Sequence, residues 1–244
     1  MSEAAGKASR RNPPQQPPPV QRLELRYCKS GRARFASHRD VARALERALR
    51  RAGVPMAYSS GFSPHPRISY AGASATGAAT EADYLELALA RRCEPAWVRD
   101  ALTEALPEGI DVLDVVERAE AGGVPLARRL TASLWHIDVA GPSAGVVRAA
   151  VDALLAQDEV VVERLVKEGV RRFDARAAVL SLDADEAGGL VLALRHETPL
   201  VRPDDVVSAL QRVEPRFVLS RPALQTRLAQ GEWRDGRIAG PFEV

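Results

Sequence analysis

Cysteine is scarce in this chain: Cys28 and Cys93 are the only two among 244 residues, and they join no C-x-x-C pair and no Cys/His cluster. A disulfide scaffold, a structural zinc site and a self-contained iron–sulfur cluster are therefore not expected. Cys28 reads as a small apolar residue at a strand end rather than a reactive thiol. Long hydrophobic runs are also lacking. Nothing approaches the ~18 to 20 apolar residues that cross a bilayer, and no apolar stretch follows the basic residues near the amino terminus. The expectation is a cytoplasmic protein without a membrane segment. Neither a Walker-type P-loop nor a G-x-G-x-x-G after a strand is found, and Ser59, Ser60, Ser63 and Cys28 come with no G-x-S-x-G elbow and no recognisable triad order. The acidic pair Asp204-Asp205 falls where a helix N-terminus is expected, so compensation of the helix dipole accounts for it, and no metal site is expected.

What the chain does have is an ordinary globular composition, 46% hydrophobic and 27% charged, and enough length for one large or two small domains. The net charge of +2 conceals an asymmetry. Residues 22–70 hold eleven Lys/Arg against Glu24, Asp40 and Glu46, a balance of +8, which leaves residues 71–244 at −8. The first half is thus a candidate binder of phosphate-rich polymers. Its most informative stretch is Tyr58-Ser-Ser-Gly-Phe-Ser-Pro-His-Pro-Arg-Ile-Ser-Tyr70. Gly61 turns it, while Pro64 and Pro66 fix their own φ and bias their predecessors toward extended geometry, so His65 should be presented on a stiff segment.

Residues 1–20, rich in Pro and Gln, read as a disordered tail leaning to polyproline II. Leu23–Tyr27 alternates as a half-buried strand. Ser37 with Asp40 three residues on predicts a capping box, and Val41, Ala44, Leu45, Ala48, Leu49 and Ala52 predict the buried face of a helix ending at Gly53. Arg39, Arg43, Arg47 and Arg50 form a basic stripe on another face. Tyr84–Ala90, a Pro95-initiated helix and a strand around Ile110–Val115 give the order β-α-β-β-α-β. The second half repeats it, with strands or extended segments at 134–139, 160–166, 177–182 and 189–195, helices at 143–155 and from Pro203, and a last strand near 217–219. The expected fold class is α+β, with tandem duplicated ferredoxin-like modules over 21–120 and 121–225 and an extension over 226–244.

Arg39, Arg43, Arg47, Arg50 and Arg67 are the candidate phosphate contacts; Tyr58, Phe62 and Tyr70 are candidates for stacking on bases or docking a partner. Gly61, Pro64 and Pro66 shape the segment. His65, and after it His38 at the expected helix start, are the candidate proton-transfer groups. His136 and His196 belong to no cluster and read as packing or surface residues. If residues 67–70 are extended, Arg67 and Ser69 share one face and Ile68 and Tyr70 the other.

Ser37-His-Arg-Asp40, the helix 44–53 and Gly61-Phe-Ser-Pro-His-Pro-Arg67, with Arg171–Arg176 and Arg202–Val206 in the second half, resemble the DUF2344 family of radical SAM-associated (radical SAM-linked) proteins over residues 21–225. The resemblance implies a role beside a radical SAM enzyme with a cobalamin-binding-like domain. This chain has no C-x-x-x-C-x-x-C motif, so it implies that the iron–sulfur cluster, S-adenosylmethionine and any cobalamin belong to that partner. The leading functional expectation is an accessory protein, non-catalytic on its own, that binds RNA or presents substrate for RNA modification. The alternatives are a metal-independent, His-assisted endoribonuclease and a protein-interaction adaptor that binds no RNA. The proline-histidine segment is expected to be the elaboration that sets the first module apart from the second.

Overall fold

The computed structural model describes residues 15–118, 123–167 and 169–243. Most of the tail expected over 1–20 lies outside these; residues 15–19 carry no regular structure, and the Gln16 N–H donates to Ser60 Oγ at 3.0 Å.

The first half runs β1 (Gln21–Lys29), α1 (His38–Arg51), β2 (Ile68–Ala71), β3 (Ala79–Leu89), α2 (Pro95–Ala105) and β4 (Ile110–Glu117). A 3-10 turn over Gly31–Phe35 leads into α1. The second runs α3 (Leu126–Arg129), β5 (Ala132–Asp138), α4 (Ala144–Leu155), β6 (Val161–Val166), β7 (Gly169–Asp174), β8 (Val179–Ala184), β9 (Leu190–Arg195), α5 (Pro203–Val213), β10 (Leu224–Arg234) and β11 (Arg237–Ala239). The fold is mixed α+β, a nine-stranded, mostly antiparallel sheet in the order β4-β1-β3-β10-β5-β9-β8, with β2 on β3 and β11 on β10, while β6 and β7 form a separate pair.

Each half pairs its strands alike. Within the first, β1 lies between β4 and β3, and β2 flanks β3; within the second, β5 lies between β10 and β9, and β8 flanks β9, every pairing antiparallel. The halves meet where β10 joins β3 in parallel at Thr226 and Arg227. The last strand of the second half is therefore β10, not the segment near 217–219: Phe217 is buried as an anchor in the connection after α5. Polar residues dominate β10, and only its place between two other strands makes it a strand.

Two cores follow from the sequence periods. Leu23, Leu25 and Tyr27 of β1 and Leu85, Leu87 and Leu89 of β3 pack against Val41, Leu45, Ala48 and Leu49 of α1 and Val98 and Leu102 of α2. The other core joins Trp135 and Ile137, Leu190, Leu192 and Leu194 to Val147, Val151 and Leu154 of α4 and Val206 and Leu210 of α5. Each such side chain contributes roughly 1.5–3 kcal/mol by leaving water. At the junction the two halves share a polar network instead. Arg227 pairs with Asp83, their side chains only 5% and 3% exposed. Asp83 also accepts from the Ser74 N–H and hydroxyl, both at 3.0 Å, and Arg227 donates to Gln230 at 2.9 Å and lies 5.3 Å from the Trp135 ring. Arg34 spans the same junction, donating to the carbonyls of Gly77 and Gln225.

Removing one member of such a pair leaves an uncompensated buried charge. Arg227→Met is expected to cost about 3–5 kcal/mol in urea denaturation, and Asp83→Asn combined with Arg227→Met is expected to recover part of that loss. A single mutant as stable as the wild type would show that the junction does not depend on the pair.

Candidate nucleic-acid interface

Helix α1 begins as the sequence predicts. Ser37 is its N-cap, and its side chain accepts from the Asp40 N–H while the Asp40 carboxylate accepts from the Ser37 N–H and hydroxyl. The pairing holds Asp40 below the usual carboxylate range, with the Ser37 hydroxyl the largest cause. With the core side of α1 fixed by Val41, Ala44, Leu45, Ala48 and Leu49, helical spacing places Arg39, Arg43, Arg47 and Arg50 within about an 80° sector on the opposite side. All four are exposed. Among the described residues neither they nor Arg67 form an ion pair, whereas many arginines elsewhere on the chain do.

The chain leaves α1 into a bridged loop. Tyr58 pairs with Pro66, the Ser59 N–H donates to the His65 carbonyl at 2.9 Å, and the His65 N–H donates to Ser59 Oγ at 3.0 Å. Below them the Arg67 N–H donates to the Ala57 carbonyl, tying the stem to β3 through Ala57 and Ala88. Pro66 faces Tyr58 without a missed hydrogen bond because it has no N–H to lose. Gly61, at φ +133°, takes a backbone conformation that L side chains rarely adopt and turns the tip. Phe62 follows it, 75% exposed, with Pro64 and His65 also exposed and Tyr58 at 40%.

Of the three aromatic candidates, Tyr70 is placed differently. Residues 68–71 are extended, with Ile68 and Tyr70 toward the core and Arg67 and Ser69 outward. The Tyr70 ring meets His38 edge-on at 4.8 Å, and its hydroxyl is buried and unpartnered, its pKa raised by burial and then by the Glu46 charge. Tyr58 and Phe62 are the rings free to stack. The same contact separates the two candidate histidines: His65 lies five residues before Tyr70 on an extended run, about 16 Å back along it. They do not form an acid–base pair.

Other candidates for chemistry are occupied structurally. Cys28 approaches the Asp111 carboxylate at 3.6 Å, and burial raises its pKa. His136 pairs with Asp185 at 2.9 Å, holding that carboxyl below its ordinary range. His196 donates from Nδ1 to the Leu130 carbonyl at 2.8 Å, so Nε2 accepts from the Ser133 hydroxyl at 2.9 Å, which in turn accepts from the Trp135 indole at 2.8 Å. The expectation of no G-x-S-x-G elbow overlooked the pattern Gly141-Pro-Ser-Ala-Gly145 between β5 and α4. Ser143 there is an ordinary extended N-cap at φ −70°, not a residue in a strained turn. Among the described residues, no group of three or more His, Cys, Asp or Glu side chains is placed to hold a metal ion, and no helix is long and apolar enough to cross a membrane.

The family model of an uncharacterised protein conserved in bacteria, DUF2344, matches residues 22–203. This chain belongs to the DUF2344 family. No curated protein matches it. The DUF2344 match takes in α1 and its arginine face, the 58–66 loop and the β6–β7 pair, and it stops at the first residue of α5, before β10.

The second half also departs from expectation at one point that bears on this site. The β6–β7 pair occupies the connection from α4 to β8, just as the 58–66 loop occupies that from α1 to β2. Both halves thus carry an insertion at this point, a bridged loop in the first and a strand pair in the second. Exposed cations and apolar residues recur on β6–β7, among them Lys167, Arg171, Leu165 and Val170. Direct cross-strand partners of this kind are visible only once the register is known.

His196 gives a stability signature. Burial is the largest cause lowering its pKa, so the neutral ring contributes stability above the unfolded value near 6.5, and that stability is lost as pH falls toward the folded value. The urea midpoint is expected to fall between pH 7.5 and 5.5, at no more than about 1.4 kcal/mol per pH unit. His196→Gln is expected to flatten that slope; an unchanged slope would place the titrating group elsewhere.

Proposed function

We propose that this protein is an accessory subunit that binds RNA, or presents an RNA substrate, for a radical SAM enzyme in RNA modification. The observation that carries the RNA part is the arginine face of α1. Four exposed guanidinium groups without ion pairs among the described residues, and apart from them Arg67 at the root of a loop whose Phe62 is open to solvent, supply the kinds of group unpaired RNA asks of a protein: cations for phosphates and a ring for a base. The radical SAM part rests on the resemblance of the sequence motifs, and the cluster and S-adenosylmethionine would belong to the partner.

The repeated strand arrangement supports a second element of the proposal, that the halves are copies of one ferredoxin-like module. The order β4-β1-β3-β2 in the first and β10-β5-β9-β8 in the second have the same pairings, with a helix after the first and third strand of each. A nuclease reading finds less support. Among the described residues, neither the His65 nor the His38 ring makes a hydrogen bond or ion pair that would set it up as a base.

A filter-binding titration against tRNA at rising salt tests the RNA assignment. Binding is expected to weaken log-linearly with salt. Arg43→Ala, Arg47→Ala and Arg67→Ala together are expected to weaken it and to lower the salt slope by roughly one for each phosphate no longer neutralised. Absence of binding at low salt, or binding indifferent to the triple variant, would end the proposal.

A further inference from the structure

The two loop insertions are placed to act together. β3 and β10 are parallel, and every other pairing between them and the flanking strands is antiparallel, so β2 and β8 run in the same direction. The 58–66 loop immediately precedes β2, and the β6–β7 pair precedes β8. Both therefore leave the same end of the sheet. β2 continues the column of β10 beside β3, and β8 lies three strands further, about 14 Å across the sheet at the usual strand spacing, to which an offset of several residues along the strands adds.

Their surfaces are alike in kind. The first insertion ends in Phe62. On the second, Leu165 and Val170 are direct cross-strand partners, 80% and 63% exposed, so one contiguous apolar spot stands at the end of the pair. The first insertion contains no carboxylate at all. On the second, both described carboxylates are engaged: Glu163 pairs with Arg172 at 3.4 Å, and Asp174 accepts from the N–H groups of Val160, Arg176 and Ala177. Asp205 of α5, which faces the pair, holds Arg164 at 2.7 Å and the Arg202 N–H. Arg171 and Lys167 form no ion pair among the described residues. The 58–66 loop itself holds no Lys, Arg or carboxylate and has Arg67 at its root, while among the described residues the unpaired charge on the β6–β7 pair is positive; each insertion presents exposed apolar surface.

We infer that the two insertions are prongs of one binding surface, and that its occupant is a single-stranded stretch of RNA long enough to touch both. This deepens the proposed function and rests on it. The first prong offers Phe62 for stacking, with Arg67 at its root for a phosphate. The second offers Leu165 and Val170 against a base face, with Lys167 at the turn beyond them and Arg171 on the other face of the pair, both exposed to a backbone that passes around its end. Polyanion chemistry suits this better than an acidic protein surface because every base has an apolar face and every linkage a charge, whatever the sequence. Joining two weak contacts on one rigid sheet makes the second contact intramolecular, so affinity depends on ligand length.

Fluorescence anisotropy with labelled oligouridylates of about 5 and about 15 nucleotides, both within the range of single-strand site sizes, tests this. The longer strand is expected to bind the full-length protein at least tenfold more tightly. Leu165→Ser with Val170→Ser, and separately Lys167→Glu with Arg171→Glu, are expected to remove that advantage while leaving the short strand unaffected; Phe62→Ala is expected to weaken both. These positions are exposed, and an unchanged urea midpoint in each variant confirms that the fold is intact. A length advantage that survives both second-prong variants overturns the two-prong inference and leaves the RNA assignment standing. Failure of the wild type to bind either strand while still binding tRNA through the α1 arginines also overturns only the inference, whereas failure to bind any RNA overturns both. Retained oligonucleotide binding with loss of a co-purifying protein in the second-prong variants would make that prong a protein contact and overturn the inference.

Discussion

The pairing of Asp83 with Arg227 is the interaction on which the arrangement of the molecule turns. It lies where the two halves meet across only a short run of parallel pairing, too little backbone contact to fix their relation by itself. A buried ion pair is weak grounds for stability, since desolvation opposes its attraction, but it is demanding about geometry. Here each partner is further held: Asp83 by Ser74, Arg227 by Gln230 and the Trp135 ring. Nearby, Lys29 is buried against the Ala75 carbonyl and its pKa is lowered, with desolvation the first cause. The junction is specified by directional polar contacts, while each half keeps its own apolar core.

Polar specification recurs on the side of the first half away from its helices. Glu24 and Glu86 are direct partners on β1 and β3, both buried, an arrangement of like charges that would repel if left alone. Arg22 and Arg118 reach Glu86 at 2.5 and 2.6 Å, and Arg129 of α3 pairs with Glu24. Arg129 also donates to the Pro241 carbonyl, so the connection between the halves and the carboxyl-terminal segment are drawn onto the same sheet face. Arg22, Arg26 and Arg34 are thereby engaged within the fold, on Glu86, Asp114 and the junction carbonyls. The basic surplus of the first half outside such pairs is consequently Arg32, the arginines of α1 and Arg67, which narrows where an anionic ligand would be held.

Local features were legible in the sequence and long-range ones were not. The Ser37–Asp40 capping box, the buried face of α1 and the outward Arg67 and Ser69 depend on neighbours within four residues, and the period of the chain reveals them. Tyr70 shows the limit. Its period placed it correctly toward the core, yet an aromatic beside a basic segment still reads as a stacking group until His38 is seen closing over it. β10 failed for the complementary reason: its polar side chains find partners across the junction, and a strand stabilised that way carries no hydrophobic alternation. The β6–β7 pair was half visible, because β6 has the β-branched composition of a strand whereas β7 is mostly charged and exposed. The buried acids are the least legible of all, since Glu24, Asp83 and Glu86 occupy positions where alternation suggests solvent or gives no signal.

The parallel contact between β3 and β10 has a consequence for symmetry. Two similar halves are often related by a twofold axis, and such pairs suit ligands that look the same from both ends. Here the strand directions relate the halves by translation along the sheet, so their equivalent elements face the same way. A surface of that kind has a direction. A chain with distinct ends, laid along it, meets the first half and the second in a fixed order, and reversing the chain presents the wrong group to each.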